Sequence, residues 1–356
     1  MKDNQIIIIH SLNGKPYFEA VEYLAKKKEW NVKYYESSII KLFIRDILKK
    51  QFSKNTIKRS LKNLIFRIQV PFIKNKTIIY CTAPFDFRML WYSLLMKKNN
   101  FIYHTSHPYW NDDKKAVFKY YFLKPFWKNF LKKCPKIVAV TQQSTNTLRN
   151  NYDVNQIYQI YHTVDVKKFF SKNKDFNFNV IKILFVGKII KEKGIDTLID
   201  LINKLPEDKF SFGIVGDGSY RYKIEPYLQK KNVKFYGWIS DKTKLAEIYK
   251  NYHIFLNPSI RNSKWEELFG IVNIEAMASG LVVIASNHIG PSEIIENGVN
   301  GFLVEEKKVD EIIDIINNLY VNRNLLKQMS QNAILYSKKF DISQIAKQWE
   351  IVLNEK

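Results

Sequence analysis

Two glutamates, Glu267 and Glu275, stand eight residues apart in Glu267-Leu-Phe-Gly-Ile-Val-Asn-Ile-Glu275, which runs on into Ala276-Met-Ala-Ser-Gly280. The Phe-Gly step between the acids opens an apolar helical segment. A helix that starts near Phe269 or Gly270 points free backbone N–H groups back at the preceding loop, a ready seat for phosphate. One acid then stands before the helix start and the other about two turns inside it. At ~1.5 Å rise per residue the pair spans on the order of 10 Å. That separation suits the two ends of a nucleotide-sugar, which has a hydroxyl-bearing ring at each end and a diphosphate between. For a pair of acids taken alone, the plainer alternative is one helix-start acid and one solvated Glu.

The elements that must carry this segment alternate strictly. In the second half, apolar runs at Lys182–Val186, Phe210–Val215, Val233–Tyr236, Ile254–Leu256, Leu281–Ala285 and Phe302–Val304 predict strands. Helical spacing separates them at Ile195–Lys204, Tyr220–Lys230, Thr243–Tyr249 and the segment after Glu267. Short apolar strands divided by helices predict a parallel, doubly wound sheet, which binds ligands beyond the carboxyl ends of its strands. The first half repeats the pattern more loosely. Its strands are expected at Ile6–Ile9, Val32–Tyr35, Thr77–Tyr80, Phe101–His104, Ile137–Val140 and Ile157–Tyr161, with helices at Tyr17–Lys27, Phe87–Lys98 and Gln142–Asn151. The polar stretch Lys167–Asn179 reads as a linker. The expected domains are therefore 1–168 and 180–340, with 341–356 a terminal helix that crosses back to the first domain.

Together these motifs resemble the retaining glycosyltransferases of the GT-B fold, specifically family four, the glycosyl transferases group 1. The resemblance is carried by Phe185-Val-Gly-Lys188, Glu192-Lys-Gly194, Gly216-Asp-Gly218, Val233-Lys-Phe-Tyr-Gly237, Asn257-Pro-Ser259, the glutamate segment and Gly298-Val-Asn-Gly301. It covers Lys182 to about Trp349 closely and the first half loosely. It implies an α/β fold of two Rossmann-like, doubly wound parallel-sheet domains facing across a cleft, and transfer of a hexose-type sugar from a nucleotide-diphosphate donor to an acceptor hydroxyl.

The resemblance also assigns roles. Lys188 and Lys193 clamp the donor phosphates and offset charge on the departing group. Lys188 replaces the family's usual Arg, so a point charge stands where a bidentate fork is common. Glu267 contacts a hydroxyl of the transferred sugar and Glu275 holds the ribose. Phe269, Gly270 and Ile271 complete the phosphate cradle through their backbones, and Gly237 lets the base approach closely. In the first half, Gly14 of Asn13-Gly-Lys15 faces the donor phosphates. His107 lies near the sugar, with His104 as the reserve; a packed histidine is the alternative for either. Asp217 reads as a turn residue and Asp165 as structural. No Asp-x-Asp metal motif stands at a suitable loop, so neither metal nor cofactor is expected.

Charge sets the partners. Of a net charge of +23, residues 1–175 hold 33 Lys and Arg against 12 Asp and Glu, whereas the remainder is nearly balanced. A field of one sign over one half attracts phosphate-rich material. Segments 41–67 and 114–133 interleave basic with apolar and aromatic residues. They suit an anionic membrane surface, unless their apolar faces pack on the sheet. No nucleic-acid module is recognisable. The expected acceptor is a glycan, or a lipid-linked glycan in surface polysaccharide synthesis. Two readings compete with this one: a GT-B sugar-nucleotide epimerase, and a basic nucleic-acid- or membrane-binding protein without catalysis. No apolar run reaches the ~18 residues of a membrane span. The start reads as a buried strand, and Cys81 and Cys134 as core thiols. A cytoplasmic protein, peripheral at the inner face of the plasma membrane, is the location expected.

Overall fold

The computed structural model describes residues 5–355, apart from 13, 39–43, 45–46, 49–52, 111–117, 172–173 and 264. Its contacts divide into two compact units, Met1–Thr163 with Ile342–Lys356, and Val164–Asp341.

The first unit holds a parallel sheet of β1 (Gln5–His10), β2 (Asn31–Glu36), β3 (Thr77–Cys81), β4 (Asn100–Thr105), β5 (Lys136–Ala139) and β6 (Ile157–Gln159), in the order β2-β1-β3-β4-β5-β6. The strands read as continuous apolar runs because helices cover both faces. One face packs Phe18, Val21 and Leu24 with Trp349 and Val352 of the terminal helix Ile342–Asn354. The other packs Tyr80, Phe101 and Tyr103 against Trp127, Phe130 and Leu131 of the helix Phe118–Lys133.

The second unit holds a second parallel sheet, of β7 (Ile181–Val186), β8 (Phe210–Val215), β9 (Val233–Gly237), β10 (Ile254–Asn257), β11 (Val282–Ser286) and β12 (Gly301–Val304). Its order is β12-β11-β10-β7-β8-β9, so the chain reverses direction across the sheet between β7 and β10. Crevices at such a reversal are where open α/β sheets hold ligands. In the first sheet the reversal falls between β1 and β3.

Three expected elements are corrected. Tyr220–Lys230 is not an α-helix but two 3-10 turns, Arg221–Lys223 and Glu225–Tyr227. Pro226 supplies no N–H and sits at the start of the second turn, where none is needed. Phe87–Lys98 is one α-turn, Met89–Tyr92, continued as a 3-10 segment, Ser93–Lys98. There the Ser93 hydroxyl donates back to the Leu90 carbonyl at 2.9 Å, competing with the helical bond. The stretch expected as linker opens with a helical turn, Val166–Phe169, capped by Asp165, whose carboxylate accepts from the Lys168 N–H.

The basic segments differ from one another. The helix Phe118–Lys133 turns Trp127, Phe130 and Leu131 inward, as sheet packing requires. The helix Lys54–Gln69 does the reverse. It buries Thr56, Asn63 and Phe66, and leaves Ile57, Leu61, Leu64, Ile65 and Ile68 about half exposed. Asn63 is held by Glu36, accepting from its N–H at 3.0 Å and donating to its carboxylate at 3.2 Å. Phe66 stacks on Tyr35 with ring centres 3.6 Å apart. Most of 41–53, and 114–117, lie outside the described residues.

Candidate active site

The site is built at the carboxyl edge of the second sheet, and its floor is bare backbone. The neighbouring strands β7, β8 and β9 run out at Gly187, Gly216 and Gly237. These glycines are tied by bonds from Gly187 N–H to Val215 O (3.0 Å) and from Gly216 N–H to Gly237 O (2.8 Å). Gly237 has φ +67 with no atom within 4 Å of where a side chain would begin, so the edge is open above it. A flat ring can lie against backbone there.

Beyond β7 the chain turns through Lys188, which is exposed, into a 3-10 turn, Lys191–Lys193. Gly194 then adopts φ +71, and a Cβ on it would lie 1.8 Å from the Pro258 carbonyl oxygen after β10. Only glycine fits this crossing of the two loops. A 2.8 Å bond from Ile260 N–H to Glu192 O secures it. The crossing brings Lys193 to Glu267. The ammonium donates to the carboxylate, and both side chains are largely buried. Lys193 also sits 5.3 Å from the centre of the Trp265 ring.

The helix after Glu267 spans Ile271–Ala278, with Gly270 as its N-cap in a left-handed conformation. Asn273 N–H donates to the Gly270 carbonyl at 2.9 Å, while Ile271 and Val272 open the helix with no preceding turn to supply their N–H groups with an acceptor. The helix is buried because it packs between the helix Arg323–Ser337 and β11. Asn257 at the end of β10 donates to Asn273 at 3.0 Å, and Ser259 donates to Asn257 at 3.0 Å, which fixes the helix start against the strand end. Glu275, one turn further in, is buried and accepts from the Tyr249 hydroxyl at 3.3 Å. Burial first, and then the Glu275 charge, push the Tyr249 phenol well above its ordinary range, so it stays a donor.

The second unit thus gathers Lys188, Lys193, Gly237, Glu267, Phe269, Gly270, Ile271 and Glu275 along one sheet edge. Gly14 and His107 belong to the first unit. Gly14 follows β1 at that sheet's own reversal, buried, with His10 so close that a Cβ would lie 2.7 Å from it. His107 follows β4; its N–H donates to Thr105 at 3.1 Å and its ring meets Trp110 edge-on. His104, the reserve, is buried between Phe18 and Trp349, and burial holds its imidazole well below the usual range. Sequence reasoning missed Tyr249 and Trp265, which touch Glu275 and Lys193 but share no motif with them, and Asn273, which lies within the glutamate segment itself. It also missed His288, which accepts from the Glu267 N–H.

Comparison with known proteins decides the family of this edge. Residues 166–336 match the model of the Glycosyl transferases group 1. That segment is a glycosyl transferases group 1 domain. An uncharacterized glycosyltransferase of Methanocaldococcus jannaschii is 32% identical over 217 residues, 60% of this chain and 58% of that protein. An uncharacterized 41.2 kDa protein in the cps region of Klebsiella pneumoniae is 35% identical over 138 residues, 39% of this chain and 36% of that one. The matched region therefore spans less than two thirds of either relative. Among solved structures, Anabaena HepE in complex with UDP superposes with a TM-score of 0.71 at 16% identity, covering 98% of this chain and 99% of that one. The fold is GT-B, two parallel six-stranded sheets with flanking helices.

Proposed function

We propose that this protein is a retaining glycosyltransferase that moves a hexose-type sugar from a uridine diphosphate donor to a hydroxyl of a lipid-linked surface glycan. The observation that carries the reading is the meeting of Lys193 and Glu267 beside a helix start, at the reversal of a group 1 domain. An ammonium, the N–H groups of a helix start and a carboxylate at one sheet edge offer partners to phosphate and sugar hydroxyl together. The Anabaena structure carries UDP, which supports uridine as the base.

On this reading, Lys193, Lys188 and the helix start hold the diphosphate while the bond from the anomeric carbon to its phosphate oxygen breaks. The acceptor oxygen bonds to the anomeric carbon from the same face, and its proton passes to the departing phosphate. Glu267 orients a sugar hydroxyl and Glu275 the ribose. No metal is needed, because the charge of the leaving group is met by lysines and N–H groups.

Charge and exposure support this acceptor. The apolar stripe on the helix Lys54–Gln69 is continuous in chemistry with exposed Phe87, Leu90 and Trp91, which line a 540 Å³ groove with Leu64 and Ile68. Lys54, Lys58, Arg59, Lys62 and Arg67 share that helix. A cationic helix that turns apolar side chains outward suits the surface of an anionic bilayer, at the cytoplasmic face of the plasma membrane, where a lipid-linked acceptor is presented. The kinship with a protein of a cps region supports a surface polysaccharide as product.

A thermal-shift panel of UDP, GDP, ADP and their sugars tests the donor. Stabilisation by UDP and one UDP-sugar is expected through mass action. Silence across the panel removes the enzyme reading, and interconversion of a UDP-sugar without acceptor replaces transfer with epimerisation.

A further inference from the structure

Glu267 stands in a loop with no regular secondary structure, yet both polar groups of its backbone are held by one neighbouring segment. The turn after β11 and the start of the helix Ile289–Ile294 that follows it supply the two partners. Glu267 N–H donates to Nδ1 of His288 at 3.3 Å, and Gly290 N–H donates to the Glu267 carbonyl at 3.2 Å. The approach is close enough that a Cβ on Gly290 would lie 2.3 Å from the Phe269 nitrogen.

His288 is fixed in turn. Its side chain is completely buried, and Nε2 lies 3.0 Å from a Glu306 carboxylate oxygen. Arg261 holds the same oxygen at 2.7 Å and donates to the Asn287 carbonyl at 2.7 Å. Glu266 accepts from the Ile289 N–H at 3.4 Å and faces Arg261 at 3.9 Å. A backbone N–H can only donate, so Nδ1 must carry the lone pair and Nε2 the proton, which Glu306 accepts. One tautomer satisfies both sides, and a second proton on Nδ1 would set donor against donor.

We infer that His288 is the positioning residue of Glu267: its Nδ1 lone pair fixes the backbone from which the sugar-facing carboxylate projects. The inference rests on the reading of Glu267 as the acceptor for a donor-sugar hydroxyl. A carboxylate must be held closely to favour the transition state, and a loop gains that precision only from what grips its backbone. The groups facing His288 are Glu306 and Glu266, which favour its charged form, and Arg261, which opposes it; burial is the largest influence and keeps the ring neutral.

Three substitutions separate the roles of the ring. Asn places an amide oxygen where Nδ1 was, Gln reaches only the Nε2 position, and Phe keeps the volume without either. Backbone amide exchange of residues 267–270, calorimetric binding of UDP, and UDP release from UDP-glucose and UDP-N-acetylglucosamine are measured for each in the full chain. His288→Phe is expected to speed exchange at Glu267 about tenfold, the scale of one lost hydrogen bond. It should lower kcat by at least as much, while UDP affinity stays within about twofold because the phosphate and ribose contacts lie elsewhere. His288→Asn should restore slow exchange and most of kcat, and His288→Gln should not. The acid limb of the kcat profile should disappear in His288→Asn. Unchanged exchange in His288→Phe, or an Asn variant no better than Phe, overturns the inference. Should the wild type neither bind UDP nor turn over either sugar while exchange follows the expected pattern, the donor reading falls and the positioning of Glu267 stands.

Discussion

Lys193 and Glu267, 74 residues apart in the chain, are joined by a direct hydrogen bond at the carboxyl edge of the second sheet. The cation proposed to meet phosphate and the carboxylate proposed to meet sugar therefore hold one another. Removing either partner leaves the other largely buried without its counter-charge.

Lys193→Ala is accordingly expected to lower turnover of the UDP-sugar by two to three orders of magnitude, the usual scale for a donor to developing charge. Glu267→Ala should do the same. The double variant should fall by far less than the product of the two, since the residues act as a unit. Steady-state kinetics on the three proteins checks this, and additive losses would refute the coupling of the two residues.

Glu275→Gln should weaken UDP by about 1.5–3 kcal/mol, the worth of a hydrogen bond to a charged group, with little change in the effect of the sugar. Tyr249→Phe removes the hydroxyl that donates to Glu275 at 3.3 Å and to the Val272 carbonyl at 3.5 Å, and should cost about 1 kcal/mol. Calorimetric titration with UDP reads both, and a larger loss in Tyr249→Phe than in Glu275→Gln would count against ribose binding at Glu275.

Gly194→Ala should fail to fold the domain, because the new methyl meets the Pro258 carbonyl. Gly237→Ala meets nothing and should cost only the roughly 1–2 kcal/mol of a left-handed backbone. If a base lies over Gly237, that variant should also lose UDP affinity while keeping its fold. Thermal unfolding with and without UDP separates the two effects.

Stability should fall in acid from histidines that are buried neutral. Burial lowers His162 to about 4, and burial with the nearby Lys174, Lys182 and Arg323 charges lowers His253 to about 3. The unfolded chain binds these protons near pH 6.5, so stability is lost as pH drops below that value and continues falling toward the folded values. Each histidine contributes up to about 1.4 kcal/mol per pH unit in its window. His253→Asn, which can still accept the Lys182 N–H now bound to Nδ1 at 3.0 Å, should flatten the slope measured by denaturant unfolding from pH 7 to 4.

Vesicle flotation tests the outward stripe. Binding to phosphatidylglycerol vesicles, weakened by salt and absent for phosphatidylcholine, is expected. Exchanging Leu61, Leu64 and Ile68 for Asn removes roughly 1 kcal/mol of insertion each, about a hundredfold in partitioning. Indifference to those changes would detach the helix Lys54–Gln69 from the membrane.

Strands were the most legible elements, since a doubly covered parallel strand has to be a short apolar run, as Ile181–Val186 and Ile254–Asn257 are. The helix after Glu267 was legible from its Phe-Gly start. Helices that depend on a single backbone donor were not: Pro226 divides one and the Ser93 hydroxyl tightens another. Amphipathic spacing alone cannot say which face of Lys54–Gln69 points inward, because that is settled by Asn63 finding Glu36 and Phe66 finding Tyr35. Tyr249 and His288 were invisible for a related reason: each acts on a glutamate more than twenty residues away, and topology alone brings them together.

The three strand ends at Gly187, Gly216 and Gly237 offer no side chain to alter. At Gly216 a Cβ would lie 1.8 Å from the Gly187 carbonyl oxygen, so the middle strand end cannot vary, whereas Gly187 and Gly237 have space for a side chain. A designer seeking a new donor should therefore leave Gly216 untouched, begin at the open edge above Gly237, and spare His288 and Gly290, which grip the backbone of Glu267.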